Sequence, residues 1–404
     1  MSGVITQLGS IGKQDVDVFI NPTKTFWKEK NVRYTQFAME PKTIEFQGSY
    51  GYGKTTHAIL PRNGDLIPKL YIQVTLANLD GGNGGARMTD DIGRWLFEEI
   101  RFEVGSVRFD VMWSEYEHSK EELRVPAEKQ PRFLTRKSES ESELIDWAKN
   151  TQTLWIPVTF HFFQNWCDAY PIIALHLTES KLYVKFRSKS DVIKSATSSP
   201  YAIVAADAEI QDCVLKAETV FLDDAERDWF AETQHKYIIM QNQNGGSTTI
   251  PAGAKEARVD LSLNHPVKYL TILYRKSSNL ANKEPFNFSG EETGELAGEA
   301  FKTMSLKLNG NDRIEKQSPI YYRLVQARQH WARNPQKHIY TYCFCPNPAS
   351  REPEMTINFS RIDNVKLHLE FSAPLSEPAD VMVFAENINV VTVGSGVMLL
   401  KYAS

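Results

Sequence analysis

Short runs in which apolar and polar residues alternate recur along the whole 404-residue chain and constrain its fold most strongly. Successive side chains of a strand point to opposite faces, so a period of two predicts strands with one buried and one solvent-facing side. A parallel sheet between helices would instead show continuous apolar strands separated by long helices. The pattern predicts an all-β sandwich of antiparallel strands. The apolar members include Leu70, Ile72, Val74 and Leu76, then Leu182, Val184 and Phe186, then Val365, Leu367, Leu369 and Phe371.

Helical patterns are few and short. Acidic residues open three segments, at 90–96, 138–147 and 223–231, and the positive end of a helix dipole favours acids at that position. We therefore expect short helices in the loops between strands.

A six-residue echo indicates a duplicated fold. Residues 181–186 read Lys-Leu-Tyr-Val-Lys-Phe and residues 366–371 read Lys-Leu-His-Leu-Glu-Phe, an offset close to half the chain. One more apolar strand follows each copy, at 214–221 and at 381–393. Domains of about 100–200 residues are typical. We predict an N-terminal domain over 1–222 and a C-terminal domain over 223–404, with the boundary in the acidic segment that follows Phe221.

Charge and cysteine content exclude several functional classes. The net charge is −4, from 46 basic and 50 acidic residues, whereas a nucleic-acid-binding domain would show a basic excess. Four cysteines are too few for a disulfide scaffold, and Cys343 and Cys345 lack zinc-knuckle spacing. No apolar run approaches the roughly 20 residues of a membrane span. Residues 1–17 lack the basic start and apolar stretch of a signal peptide, so we expect synthesis in the cytosol.

The most conspicuous catalytic motif is a match to the phosphate-binding loop G-x-x-x-x-G-K-[ST]. Gly48, Gly53, Lys54 and Thr55 occupy its fixed positions, where Lys54 would reach the outer phosphates and Thr55 a magnesium ion. A helix must follow such a loop, because its N-terminus supplies part of the anion field. Here a proline and an Asn-Gly turn follow within ten residues, and Thr-rich alternation favours a strand. We interpret the match as a hairpin loop and predict no cofactor.

Other catalytic constellations are not found in the sequence. The nine histidines never fall in an H-E-x-x-H or H-x-H pattern, and no G-x-S-x-G nucleophile motif occurs. Adjacent carboxylates such as Glu98 and Glu99 would point to opposite faces of a strand. We therefore predict no catalytic residues, no metal site and no enzymatic activity.

Many segments in the same order resemble the major capsid proteins of nucleocytoplasmic large DNA viruses, the group that includes iridescent and chlorella viruses. The most characteristic is Asn-Phe-Ser-Arg-Ile-Asp-Asn at 358–364. Arg361 and Asp363 are two apart there, so an extended chain would place them on the same face, where they could form a side-chain pair. We expect this segment to serve a structural role. The other similar segments are 21–27, 34–40, 62–67, 70–76, 96–100, 105–108, 154–158, 171–175, 221–231, 264–267, 308–313, 322–325, 389–391 and 395–396.

This resemblance implies two tandem eight-stranded jelly rolls and a homotrimer with a pseudo-hexagonal outline that tiles an icosahedral shell. It implies contacts with neighbouring capsomers and with minor capsid or penton proteins, no direct contact with nucleic acid, and proximity to an internal membrane without insertion. The location would be the virion capsid, assembled in the host cytoplasm. Residues 1–15 would form a flexible arm, and the insertions at 112–153 and 275–301 would form outward loops or intersubunit clasps.

Two alternatives come from other classes. A jelly-roll fold also suits a carbohydrate-binding or hydrolytic protein, and Tyr50, Tyr52, Trp113 and Tyr116 are the aromatic residues that would stack on sugars. A nucleotide-dependent enzyme is the other alternative, and it rests on residues 48–55 alone.

Overall fold

The computed structural model describes residues 2–29, 31–79, 87–129, 132–138, 140–194 and 209–402. The chain forms two compact units, Met1–Gln36 and Phe37–Ser404. The first unit contains two short helices, α1 (Ser2–Gly9) and α2 (Lys13–Phe19). The arm predicted for residues 1–15 therefore includes helical turns, and its flexibility stays a prediction.

Among the described residues before residue 223, eight strands build two four-stranded antiparallel sheets. They are β1 (Phe37–Glu45), β2 (Thr55–Ile59), β3 (Leu66–Leu76), β5 (Phe97–Val104), β6 (Val107–Trp113), β7 (Gln152–Pro157), β8 (Ser180–Phe186) and β10 (Ile210–Leu222), and the short strands β4 (Arg87–Met88) and β9 (Ile193–Lys194) pair with each other. The two sheets have the orders β1-β10-β3-β7 and β2-β8-β5-β6.

Eight strands after residue 234 repeat this arrangement. They are β11 (His235–Ile250), β12 (Glu256–Asp260), β13 (Pro266–Lys276), β14 (Thr303–Leu308), β15 (Asn311–Gln317), β16 (Tyr340–Cys343), β18 (Val365–Glu370) and β19 (Ala379–Gly394), with the short strands β17 (Ile357–Asn358) and β20 (Val397–Leu400) added to the first sheet. The sheets have the orders β11-β19-β13-β16 and β12-β18-β14-β15.

Both sets share one topology. If the eight main strands of each set are numbered along the chain, both give the sheet orders 1-8-3-6 and 2-7-4-5, the two-sheet arrangement of a jelly roll. The sequence echo falls on β8 and β18, which are the seventh strands of the two sets. The eighth strands, β10 and β19, contain the apolar strands predicted to follow it. The predicted double jelly roll is confirmed.

The alternating pattern places one face of each sheet in the core. Leu182, Val184 and Phe186 are at most 1% exposed, whereas the intervening Lys181, Tyr183 and Lys185 stay half-buried. Burying one side chain of this size contributes about 2 kcal/mol. The same alternation along β18 buries Val365, Leu367 and Leu369, so local pattern and tertiary burial agree in both sandwiches.

Short helices lie between the strands, as predicted. The described helices of the second unit are α3 (Ile92–Trp95), α4 (Ser114–Arg124), α5 (Arg132–Thr135), α6 (Glu141–Ala148), α7 (Lys189–Val192), α8 (Asp224–Glu232), α9 (Ser277–Ala281) and α10 (Gln326–His330), and a π-helical turn at Tyr321–Val325 precedes α10. The three acidic segments correspond to α3, α6 and α8. In the part of the chain that the structure describes, no helix has the length and apolar character needed to cross a bilayer.

Candidate functional site: a buried charged helix between the sandwiches

Helix α4 is the most unusual element of the structure. Six of its eleven residues carry a charged Glu, Lys or Arg side chain, yet every residue from Ser114 to Leu123 is buried. A helix that is polar on all sides is expected at the surface, and burying a charge is costly unless it is paired. The partners of α4 come from both sandwiches. Residues 112–153 were expected to form outward loops or intersubunit clasps, and for the buried helix α4 the expectation of an outward loop is wrong.

Arg124 connects the end of α4 to the second sandwich. Its Nη2 donates to Oε1 of Glu386 at 2.6 Å and to the hydroxyl of Tyr269 at 3.1 Å. Glu386 on β19 is 2% exposed. Burial opposes its charge, but the positive charges of Arg124 and Lys120 outweigh that effect and lower the pKa of Glu386. The carboxylate stays ionised inside the protein because this guanidinium faces it.

An aromatic contact lies beside this ion pair. The hydroxyl of Tyr116 donates to that of Tyr269 at 2.9 Å, and the Tyr116 ring stacks on Phe384 with centroids 5.1 Å apart. Tyr116 is 0% exposed, so its hydroxyl needs the partner that β13 supplies. Stacking and hydrogen bonding thus fix the middle of α4 against two strands of the second sandwich.

Glu115 bridges two arginines at the start of α4. Its Oε1 lies 3.3 Å from Nη2 of Arg187 and 3.2 Å from Nη1 of Arg275. Arg187 follows β8 in the first sandwich and Arg275 lies on β13 in the second. The Arg187 guanidinium also stacks over the Trp95 ring at 3.6 Å, a cation–π contact that is strong when desolvated. One carboxylate therefore joins cations from both sandwiches.

The opposite side of α4 faces α3. Nη2 of Arg94 donates to Oε2 of Glu121 at 2.7 Å, and its Nη1 lies 3.7 Å from Glu117. Glu117 also contacts Lys120, whose Nζ donates to Asn242 of β11 at 3.0 Å. Each carboxylate on this side has a cation within ion-pair distance, which offsets the cost of taking the charges out of water.

Glu122 and His118 complete the network. Glu122 contacts Lys137 and accepts from Nη2 of Arg333 at 2.5 Å. Burial opposes the ionised form, but the positive charge of Lys137 outweighs it and lowers the pKa of Glu122 to about 2. His118 hydrogen-bonds Asp91 at 2.8 Å through Nδ1 and stacks on Phe286 at 4.1 Å. Burial lowers the pKa of His118 to about 3, so the ring is neutral at physiological pH.

The arrangement suits a mechanical role. All four glutamates of α4 have a cationic partner within 4.0 Å. Two of them, Glu115 and Glu122, also pair with arginines from the second half of the chain, Arg275 and Arg333. Paired, buried charges of this kind make one relative placement of two packed bodies much better than its alternatives. Sequence reasoning missed this site because a charged segment is ordinarily a solvated surface. The only local signal is the aromatic Tyr116 within the charged segment, a residue type that is more often buried than exposed.

The phosphate-loop match lies elsewhere, in a tight loop between β1 and β2. Gly48 and Gly53 have φ values of 94° and 73°, and the N–H of Lys54 donates to the carbonyl of Gly51 at 3.1 Å. Thr55 begins β2, which pairs with β8. A strand therefore follows the loop, as predicted, where a phosphate site requires a helix. That no nucleotide binds here stays a prediction.

The four candidate sugar-stacking aromatics do not form one surface. Tyr116 is fully buried inside the network described above, so it cannot stack on a sugar as the carbohydrate-binding alternative would require. Tyr50, Tyr52 and Trp113 are half-buried and pack against the core. Trp113 is the last residue of β6, and its ring centroid lies 5.9 Å from that of Phe384.

The segment at 358–364 is structural in its contacts, but not through the expected pair. Arg361 and Asp363 are both exposed, and a 3₁₀ turn at Phe359–Arg361 replaces the extended chain that would align them. Ser360, between Phe359 and Arg361, makes the contact instead: its hydroxyl accepts a hydrogen bond from the His265 N–H at 2.8 Å. Among the described residues, Arg361 and Asp363 form no ion pair, so the pair that an extended chain would allow is not made.

The four cysteines form no disulfide bond with one another. Cys213, Cys343 and Cys345 are free and buried, and Cys167 is free and exposed. Burial raises the pKa of the Cys213 thiol to about 12, which keeps it protonated and unreactive.

Comparison with known proteins gives consistent matches over the whole chain. A family model described as "Major capsid protein N-terminus" matches residues 25–223, and one described as "Large eukaryotic DNA virus major capsid protein" matches residues 226–399. The major capsid proteins of Pyramimonas orientalis virus and Paramecium bursaria Chlorella virus 1 are each 30% identical to this chain, and each match spans all of both proteins.

Solved structures agree with these sequence matches. A chain of the PBCV-1 virus capsid aligns with a TM-score of 0.78 at 26% identity, covering 94% of this chain and 100% of that one. The Faustovirus major capsid protein aligns with a TM-score of 0.73 over 97% of this chain and 96% of its own, at 12% identity. The latter likeness concerns the fold alone.

Proposed function

The chain belongs to the family of large eukaryotic DNA virus major capsid proteins, and we propose that three copies of it associate into a trimer. It is a structural protein of the virion capsid that assembles with other capsid subunits. This trimer is the unit that tiles the icosahedral shell. The assembly takes place in the host cytoplasm.

The repeated topology is the observation that carries this proposal. Two sandwiches with the same sheet orders, 1-8-3-6 and 2-7-4-5, give each copy two lobes of similar shape. Three copies around a threefold axis then present six similar lobes, and a six-lobed unit packs on a hexagonal lattice. One kind of chain can therefore cover a large shell by repeating the same lateral contacts.

The buried helix α4 supports this role. A lattice transmits errors in subunit shape from one copy to the next, so the two lobes must keep a fixed relative placement. The ion pairs of Arg124 with Glu386 and of Glu115 with Arg187 and Arg275 resist a change in that placement, because any shift would leave charges buried and unpaired. Rigid lobes are the property that a tiling unit needs.

The domain boundary belongs to the same proposal. Among the described strands, those before residue 223 pair only with one another, and so do those after residue 234. Helix α8, all of whose residues are exposed or half-buried, lies between them in the chain. These observations support domains at 1–222 and 223–404 with a linking segment at 223–234.

The proposal also covers the partners of the trimer, its surroundings and the activities that it lacks. The trimer contacts neighbouring capsomers and minor capsid or penton proteins, it lies near an internal membrane without insertion, and it makes no direct contact with nucleic acid. The chain has no enzymatic activity, and residues 48–55 bind no nucleotide. The near-neutral charge balance of 46 basic and 50 acidic residues supports the absence of a nucleic-acid surface.

Light scattering coupled to size-exclusion chromatography tests the oligomeric state. We expect a single species at three times the 46.0 kDa chain mass across micromolar concentrations. A monomer throughout that range, from protein that is folded by circular dichroism, would contradict the proposal.

A further inference from the structure

A polar cavity of about 280 Å³ lies where edge strand β6 of the first sandwich meets edge strand β11 of the second. Its volume is just below the range of about 300–1,000 Å³ that is usual for small-molecule sites. Its lining is unusual because carboxamide side chains dominate it. They are Gln241, Asn242, Gln243, Asn244, Asn264 and Asn387.

Two buried side chains in this lining have no hydrogen-bond partner among the residues that the structure describes. Both the Oδ1 and the Nδ2 of Asn387 are unpaired, and so is the Nε2 of His265. Asn387 is 0% exposed and His265 is 8% exposed. A buried polar group left unpaired costs about 1–3 kcal/mol. These groups make the inner wall of the cavity polar, which suits an occupant that can both donate and accept hydrogen bonds.

The surrounding amides form a fixed frame. Gln243 donates from Nε2 to the carbonyl of Asn264 and accepts from its N–H, both at 2.9 Å. Asn242 donates from its backbone N–H to Oδ1 of Asp110 at 2.9 Å and from Nδ2 to the carbonyl of Val111 at 3.0 Å. These bonds leave the backbone positioned in advance, so an occupant would not have to order it.

Several polar groups at the rim remain available. Asn244, Asn264 and Arg108 are exposed. Asn244 uses its Oδ1 to accept a hydrogen bond from the Gly246 N–H at 3.0 Å, so its Nδ2 can donate to an occupant of the cavity. The structure gives the Asn264 side chain no hydrogen bond to the other described residues. Neutral donors and acceptors therefore outnumber charges at the opening.

Two further features narrow the chemistry of the occupant. Half-buried Trp113 supplies an aromatic wall, a surface suited to the aliphatic face of a ring. Burial raises the pKa of Asp110 to about 8, so the cavity holds no strong negative charge at neutral pH and does not select a cation.

We propose that this cavity binds an uncharged, hydroxyl-rich ring of the size of one pyranose sugar. Each sugar hydroxyl both donates and accepts, and a carboxamide offers one group of each kind. The Trp113 ring would pack against the sugar face, while Asn244 and Asn264 would hold its hydroxyls at the rim. This site adds a binding activity to a structural protein and does not depend on the oligomeric state.

Saturation-transfer NMR with methyl glycosides of glucose, galactose and mannose tests the site on the full-length protein. We expect at least one glycoside to bind in the millimolar range, as suits a few rim hydrogen bonds. Tetrahydropyran, a ring of the same size without hydroxyls, should not bind. Failure of all three glycosides, or equal binding of tetrahydropyran, would overturn the proposal.

Rim variants locate the binding. Asn244→Ala and Asn264→Ala remove exposed side chains and should fold normally, and each should weaken glycoside binding about fivefold, the loss expected for one hydrogen bond. Asn282→Ala removes an exposed carboxamide outside this cavity and should bind like the parent. If both rim variants bind like the parent, the sugar occupies another place and the proposal is wrong.

Discussion

Arg124 and Glu386 form a 2.6 Å ion pair between a helix of the first half of the chain and the last long strand of the second. The two residues are 262 positions apart, and Glu386 is almost fully buried. Removing one partner of a buried pair leaves an uncompensated charge, and this costs about 3–5 kcal/mol. The pair therefore gives a direct way to measure how strongly the two sandwiches are coupled.

We predict that Arg124→Met lowers the free energy of unfolding by about 3 kcal/mol. Adding Glu386→Gln to this variant should recover part of the loss, because the unpaired charge is then gone. Denaturant unfolding of both single variants and the double variant measures the coupling. Lys149→Met is the matched control, since its pair with Asp146 is exposed and should contribute less than about 0.5 kcal/mol. Fully additive losses would show that the pair is not coupled.

His118 should make the protein sensitive to acid. Burial lowers its pKa from 6.5 to about 3, so the folded state resists protonation. The stability from this group is complete above pH 6.5 and is lost as pH falls toward 3, at a rate of up to about 1.4 kcal/mol per pH unit. The nearby charges of Asp90, Glu122 and Lys137 act on the same ring.

We expect His118→Gln to flatten this dependence, because glutamine can still hydrogen-bond Asp91 but takes up no proton. Denaturant unfolding at pH 7, 5.5 and 4.5 compares the two proteins. The variant should lose less stability than the parent between pH 6.5 and 4.5, by an amount that corresponds to about one proton. The same slope in both proteins would show that His118 is not the responsive group.

In the 358–364 segment, the structure indicates that Ser360 contributes more to stability than Asp363. Asp363 is exposed, so Asp363→Ala should change the free energy of unfolding by less than about 0.5 kcal/mol. Ser360 accepts from the His265 backbone at 2.8 Å, so Ser360→Ala should cost about 1 kcal/mol. Parallel denaturant melts test both. A larger loss from Asp363→Ala would restore the pairing expected from sequence.

Lys54 should have no role in nucleotide binding. We predict that ATP with magnesium leaves the thermal melting of both the parent and Lys54→Ala unchanged. A true site would stabilise the folded protein by about 2.7 kcal/mol at a hundredfold excess of ligand over Kd. A nucleotide-dependent shift in the parent that is absent from the variant would identify residues 48–55 as a binding loop.

Local pattern predicted the strands because their burial follows from alternation alone. Leu182 and Val184, like Leu367 and Leu369, are buried in the way that their own segments indicate. The echo between 181–186 and 366–371 marks equivalent strands of the two sandwiches. Both segments form the seventh strand of their set, where alternate side chains are buried in the core. Fold class and duplication were therefore accessible without structural information.

The candidate site was not accessible in this way. Whether Glu115 or Glu122 can be buried depends on Arg187, Arg275 and Arg333, and no local pattern reveals partners so distant in sequence. The α4 segment alone has the composition of a surface helix. Its burial is a tertiary effect that overrides local polarity.

Negative-stain electron microscopy of the purified protein tests the central claim most directly. A trimer of two-lobed chains should appear as particles of one size with a hexagonal outline and six peripheral lobes. This result would support the trimeric building block of the shell. Particles with only two lobes, at every concentration at which the protein stays folded, would contradict it.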